Sequence, residues 1–395
     1  MKNLPVETAR ARMLAEAGVP LTEDAPLDQA LGRTLAEAVI ATRDQPPFDA
    51  SAMDGWATAG AQAWLDIVGE SAAGHGYRER LASGQAVRIF TGAPVPAGAE
   101  RVVIQEDAVH EGERIRVPPP TDEPRHIRPR GGDFRAGDVL LPAGVRLDPW
   151  RLGLAAAAGR ASVAVARRPR VSVLSTGEEI VAAGQTPGPD QIFNSGGPSL
   201  CALIARWGGA ARSLTSVGDD LDAIAEAASR AGGDLIVTLG GASVGDHDLV
   251  KPALMRLGLD LRVETVRLRP GKPTWFGVLA DGRRVLGLPG NPASALVCAE
   301  LFLKPLLLAM QGAEPGPRLV SAKLAQPTPA NGPREHWARG RLTFRDGELL
   351  AAPMSDQDSS LVTVFAQADV LIRRPADAAA APAGAVVEVL LLDRL

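Results

Sequence analysis

Between Leu239 and Thr274 the chain gathers residues whose types and spacing could grip a phosphorylated ligand. The segment opens with Gly240-Gly241-Ala242-Ser243-Val244-Gly245-Asp246-His247-Asp248 and closes with Arg269-Pro270-Gly271-Lys272-Pro273. Glycines let backbone N–H groups converge on phosphate oxygens, and carboxylates hold a divalent cation that offsets the phosphate charge. Two more loops have the same character: Ser175-Thr176-Gly177-Glu178-Glu179 and Gly287-Leu288-Pro289-Gly290-Asn291-Pro292. One glycine loop alone is most simply a tight turn. Four in one domain point to a shared cleft, because an open parallel sheet binds ligands beyond the carboxyl ends of its strands. Glu179 and Asp248, set beside phosphate-binding amides, would repel an anion unless Mg2+ lay between them. Arg269 and Lys272 are held in a Pro-Gly turn and suit a phosphate or another oxyanion. Asn291-Pro292 reads as a helix cap whose N-terminal N–H groups face the same ligand.

Other motifs carry competing chemistry. Gly241-Ala242-Ser243-Val244-Gly245 spells the nucleophile elbow of α/β-hydrolases. That fold needs an acid and then a histidine further along, and after Ser243 the chain offers only His247 and His336. A hydrolase is therefore disfavoured. The polar loops Phe48-Asp49-Ala50-Ser51-Ala52-Met53-Asp54-Gly55 and Thr91-Gly92-Ala93-Pro94-Val95-Pro96 are ordinary as turns. The basic run Arg125 to Asp133 fits either a solvated face or a clamp on an anionic substrate.

The elements that must position these loops follow from periodicity. Residues 5–17 and 28–38 carry apolar positions at helical spacing, and 148–159 start with Asp148-Pro149, a helix-opening pair, and end at Gly159. From about 44 to 144 the chain reads as short strands with Gly and Pro turns. From Arg170 it alternates strand and helix: strands at Val171–Leu174, Leu214–Val217, Leu235–Leu239 and Val285–Leu288, with a long apolar helix after Asn291. Further strands are expected at Leu319–Leu324, Val370–Ile372 and Val386–Leu391. The reading is multidomain α/β plus β. Residues 1–43 with 145–168 form a helical or extended linker domain, and 44–144 a β-rich insertion. Residues 169–312 form a doubly wound α/β domain, and 313–395 a β domain that fits a small barrel or a sandwich.

Composition removes several function classes. The chain has 395 residues, 42 basic and 46 acidic, for a net charge of −4, so no overall field draws it to nucleic acid. Cys201 and Cys298 have no zinc or disulfide spacing and read as reduced buried thiols. The start lacks a secretory pattern, and the apolar stretch Leu296 to Met310 is broken by Glu300, Lys304 and Pro305, so no membrane partner and a cytoplasmic location are expected.

With these residues in view, the chain resembles the MoeA-type molybdopterin molybdenumtransferases, the family that includes the gephyrin E domain. The motifs appear in the family's order: Phe48-Asp49-x-Ser51-Ala52-Met53-Asp54-Gly55, Thr91-Gly92-Ala93-Pro94-x-Pro96, Ser175-Thr176-Gly177-x-Glu179, Gly240-Gly241-x-Ser243-Val244-Gly245-x-x-Asp248, Pro270-Gly271-Lys272-Pro273 and Leu288-Pro289-Gly290-Asn291-Pro292. The resemblance implies an α/β domain similar to the molybdopterin-adenylyltransferase fold, a barrel-like form for the C-terminal β domain and a dimerisation role for the linker domain. It implies Mg2+-dependent insertion of molybdate into adenylyl-molybdopterin with release of AMP. It also implies a homodimer in which Asp54 acts across the interface, with molybdopterin adenylyltransferase and acceptor molybdoenzyme machinery as partners. Carried over by position, Asp54 and Thr91 line the cleft, Glu179, Asp219 and Asp248 serve Mg2+, and Lys272 meets phosphate or molybdate. Ser175, Thr176, Gly177, Gly240, Gly241, Ser243, Gly245, Arg269, Pro289, Asn291, Pro292, Arg334 and Ser359 bind the cofactor. The chain departs from the family's usual pattern at Thr265, Arg269, Asn194-Ser195-Gly196 and Asp358. A purely binding scaffold is the competing class, and the retained acid and cation set argues against it.

Overall fold

The computed structural model describes residues 1–120, 125–241 and 249–392. Its central sheet has six strands in the order Ala210–Ser213, Arg170–Ser175, Leu235–Leu239, Arg284–Leu288, Trp275–Val278 and Asp260–Val263. The first four run parallel, Trp275–Val278 runs against them, and the edge strand Asp260–Val263, antiparallel to Trp275–Val278, returns to their direction. The reversed strand departs from the all-parallel sheet read from the sequence. A tight turn, in which the Gly282 N–H donates to the Leu279 carbonyl at 2.9 Å, joins two of these strands without a crossover helix. The strand expected at Leu214–Val217 lies earlier, at Ala210–Ser213, and Val217 makes only one bridge, to Thr176.

Alternation along the strands builds two cores. Leu235, Val237 and Leu239 join one with the helix Gly196–Arg206 and the helical stretch Pro292–Met310. Ile236, Val285 and Trp275 join the other with Leu221–Arg230 and Val250–Met255. Layers on both faces make the domain doubly wound. The long apolar helix expected after Asn291 forms: Pro292–Met310 runs through Glu300, Lys304 and Pro305 as one helical stretch with a π segment at Ala299–Leu303. By length and composition it could cross a bilayer, yet 83% of its apolar window is buried inside this protein as a core helix. The first helix, Val6–Ala15, places Val6, Ala9 and Met13 in the same core.

The helix expected over 28–38 does not form. Only the single turn Leu27–Gln29 is helical, closed by the Ala30 N–H on the Leu27 carbonyl, and Gly32 follows at φ +72. The Leu35 N–H then donates to Val145 and the Ala36 N–H to Ala164, so pairing with distant backbone displaces local helix. Here the linker is extended: Thr22–Pro26 pairs with Ser162–Ala166, and Val39–Ile40 with Val139–Leu141. The helix Pro149–Ala157 appears as expected, Asp148 accepting the Arg151 N–H at 2.8 Å. The insertion is a mixed six-stranded sheet, and its basic run serves structure: Arg130 donates to Asp44 at 2.6 Å and, through its backbone, to Asp49 at 2.8 Å.

Five C-terminal strands close on themselves. Glu335–Arg345 pairs with Glu348–Pro353, which pairs with Leu319–Leu324, then Val386–Leu391, then Val370–Arg374, and this last returns to Glu335–Arg345. The result is a small closed barrel that leaves no free edge along this circuit. Leu268–Arg269 adds in parallel to Glu335 and His336, which ties the barrel to the α/β domain beside the Lys272 loop.

Candidate active site

Three parallel strands end on one edge, with Ser175 opposite Leu239 and Leu239 opposite Leu288. Their following loops therefore meet in space. The fourth loop arrives differently from the sequence reading. It follows no strand of this sheet but precedes the antiparallel Trp275–Val278, whose start lies opposite Gly287 near the same carboxyl edge.

These loops enclose a cleft of about 940 Å3. Ser175, Thr176, Gly177, Glu179, Asp219, Gly240, Gly241, Lys272, Pro289, Asn291 and Pro292 all border it. A second hollow of about 610 Å3 adjoins it, lined by Arg269, Arg334, Asp356, Asp358 and Ser359 and sharing Lys272, Pro273, Pro289 and Asn291 with the first. Ser243, Gly245 and Asp248 lie outside the described residues.

Backbone geometry explains the placement. The Thr176 N–H donates to Leu239 at 2.9 Å and the Gly177 N–H to Val217 at 3.1 Å, which brings the Glu179 and Asp219 loops side by side. Gly177 stands at φ +132, and a Cβ there would overlap the Glu179 carboxylate. The missing side chain is what lets that carboxylate lie across the loop. Glu179 and Asp219 both border the cleft, and carboxylate oxygens suit a hard cation that keeps several waters and needs only one or two carboxylates. In donor chemistry the residues fit Mg2+. No group of three or more potential metal ligands occurs among the described residues.

Asn291 corrects the simple capping expectation. It occupies the cap position, yet its side chain does not cap its own helix. Its amide instead donates to Ser359 Oγ at 2.9 Å, and the Ser359 carbonyl accepts the Ala293 N–H at 3.0 Å. A barrel loop thus takes one of the N–H groups that the sequence reading left for a ligand. Gln357 holds that loop from behind: it accepts the Arg339 N–H and donates to the Arg339 carbonyl, both at 2.9 Å, while Arg339 donates to the Asp358 carbonyl.

The second hollow sets the cations Arg269, Lys272 and Arg334 beside the carboxylates Asp356 and Asp358. Burial, followed by the charges of Arg269, Arg339, Arg334 and Arg374, pushes His336 down to about 4. Asp358 stays well below the usual carboxylate range because the Ser360 hydroxyl and N–H donate to it. Cys298 behind the Gly271 turn is buried, and burial pushes its thiol up to about 12. It is no nucleophile at neutral pH.

Asp54 and Thr91 lie in the inserted domain rather than among the residues bordering the cleft. They hold each other: the Thr91 N–H and hydroxyl donate to Asp54 Oδ1 at 2.7 and 2.8 Å. These bonds, the backbone one first, keep Asp54 ionised below its ordinary range. The structure also adds residues that spacing missed. Ile192 and Phe193 border the cleft on a two-residue strand too short for periodicity to reveal, and Asn194 links the Ser175 hydroxyl to the start of the next helix.

Fold and cleft define a multidomain protein built around a molybdopterin-type α/β domain: residues 172–309 match the model of a probable molybdopterin binding domain. Residues 4–159 match the MoeA N-terminal region, domains I and II, and 321–392 the MoeA C-terminal region, domain IV. The chain belongs to the MoeA family of molybdopterin molybdenumtransferases, which are transferases of molybdenum cofactor biosynthesis. It is 34% identical over 345 residues to the molybdopterin molybdenumtransferase of Nostoc sp., covering 83% of this chain and 79% of that one. It is 40% identical over 278 residues to that of Synechococcus elongatus, covering 66% and 69%. The crystal structure of the molybdopterin biosynthesis MoeA protein from Pyrococcus horikoshii superposes with a TM-score of 0.84 at 31% identity over the whole of both chains.

Proposed function

We propose that the protein inserts molybdate into adenylyl-molybdopterin and releases AMP in a Mg2+-dependent step. The observation that carries this reading is the junction of two unlike hollows. The acid-bearing cleft of Glu179 and Asp219 adjoins, across Lys272 and Asn291, a hollow where Arg269 and Arg334 stand beside Asp356 and Asp358. Glu179 and Asp219 would hold Mg2+, which when bound draws off charge from phosphate oxygens as the adenylate is cleaved. The glycine loops at 177 and 240–241 leave room for the backbone to approach the phosphate. Lys272 stands on the shared wall, where one ammonium can neutralise either phosphate or incoming molybdate. Arg269 and Arg334 supply the remaining charge for an oxyanion, and Asn291 with Ser359 clasps the two domains together there.

Asp54 enters through a second copy of the chain. In this reading the protein is a homodimer, and the Asp54 and Thr91 pair of one subunit completes the cleft of the other. Both Thr91 bonds fall on Oδ1, which presents the carboxylate in one fixed orientation at low entropic cost. The test incubates purified protein with adenylyl-molybdopterin and Mg2+, with and without molybdate, and follows AMP together with the metal-bound product. Molybdate-dependent AMP release with product formation is expected. AMP release indifferent to molybdate would mark an adenylate hydrolase instead, and no turnover at all would favour a scaffold.

A further inference from the structure

We infer that Phe193 is a stacking platform for a flat heteroaromatic ring of the ligand, an inference that rests on the function proposed above. The cleft lining mixes polar residues, Glu179, Asp219 and Lys272, with apolar ones, Ile180, Ile192, Phe193, Leu239 and Val362. The apolar residues have no use for phosphate or metal, but they do suit a planar ring. Phe193 is 49% exposed and its neighbour Ile192 58% exposed, so folding leaves much of this apolar surface in water. No ring pair among the described residues occupies the Phe193 face. Water on an aromatic surface inside a cleft is released when a ring covers it, and each base-aromatic stack strengthens binding by roughly tenfold or more.

The backbone on either side of Phe193 is anchored before any ligand arrives. Ile192 and Phe193 pair in parallel with Ile180 and Val181. The Ile192 N–H donates to the Glu179 carbonyl at 2.7 Å, and the Asn194 N–H to the Val181 carbonyl at 2.8 Å. Asn194 then donates to Ser175 Oγ at 2.9 Å and accepts the Gly197 N–H at 2.8 Å. Phe193 is thus flanked by two anchored residues, one of them bonded to the residue that carries the Glu179 carboxylate. Ring stacking and cation binding share one rigid piece of backbone, so ordering either side costs little extra entropy.

Both the adenine and the pterin of the proposed substrate have the required shape, and calorimetry with AMP, ribose 5-phosphate and free neopterin separates them. Wild type should bind AMP more tightly than ribose 5-phosphate, and Phe193→Ala should erase that margin, a loss of roughly tenfold. If Phe193→Ala weakens neopterin and spares AMP, the platform holds the pterin. Phe193→Trp should bind its ring ligand and show indole fluorescence quenched by that ligand, with no response to ribose 5-phosphate. Unchanged AMP and neopterin affinities in Phe193→Ala, with wild type binding normally, overturn the platform alone. Failure of wild type to bind AMP or neopterin overturns the parent reading and the platform with it.

Discussion

Acid should loosen the C-terminal barrel through His336, and the size of the effect follows from its surroundings. His336 is pushed from an ordinary 6.5 to about 4 by burial and by four guanidinium groups. The sign is set by which state holds the extra proton. Below pH 6.5 the unfolded chain protonates this imidazole while the folded chain does not, so the contribution is intact above about 6.5 and is lost progressively as pH falls toward 4. Between pH 7 and pH 5 the loss is about 2 kcal/mol. Carboxylates such as Asp44 and Asp234, also held below their usual range, add their own acid sensitivity, so the comparison must be with His336→Gln. Urea unfolding of both proteins at pH 7, 6 and 5 should show wild type losing about 2 kcal/mol more than the variant between the extremes. NMR of isotopically labelled histidine should place the His336 midpoint near 4. An oxyanion bound between Arg269 and Arg334 should raise that midpoint by offsetting their charge. Parallel stability curves for wild type and variant, or a midpoint near the ordinary histidine value, would rule out this role for His336.

Three further outcomes are expected. Lys272→Ala should raise the molybdate KM about tenfold or more, the scale of one charge-assisted hydrogen bond, with thermal unfolding unchanged; an unaltered KM removes Lys272 from the oxyanion path. Gly177→Ala strains a φ of +132 and drives a methyl into the Glu179 carboxylate, so a Mg2+ titration of AMP release should shift about tenfold to higher concentration, about 1.4 kcal/mol. A wild-type titration would break the link between Gly177 and the metal. Gly287→Ala places a Cβ inside the fully buried Trp275 indole across the strand pair. Chemical denaturation should register a loss of about 3 kcal/mol, and wild-type stability would mean the sheet yields more easily than its packing indicates.

Much of the candidate site was legible because its signals are local. Ser175-Thr176-Gly177, Gly240-Gly241 and Pro289-Gly290-Asn291-Pro292 each follow an apolar strand, and strand ends with glycine are readable from neighbouring residues alone. Phe193 was illegible for the converse reason. A two-residue strand has no period, and its exposure depends on what does not pack against it. Residues 28–38 misled because their spacing is helical, while the hydrogen bonds that decide their shape come from Val145 and Ala164.

By itself, then, the sequence determined the alternating α/β core, the loops that end its strands and the acids and cations they carry, since each depends on contacts a few residues long. Only the tertiary structure decided that the Lys272 loop reaches the same edge by way of an antiparallel strand. It alone joined Asn291 to Ser359, 68 residues apart, and set Arg269 beside His336 on a barrel strand. It also kept Asp54 and Thr91 off the cleft lining of their own chain. Those arrangements rest on strand pairing and domain packing between distant segments, where the partner of a residue is chosen by the register of whole elements rather than by its neighbours in the chain.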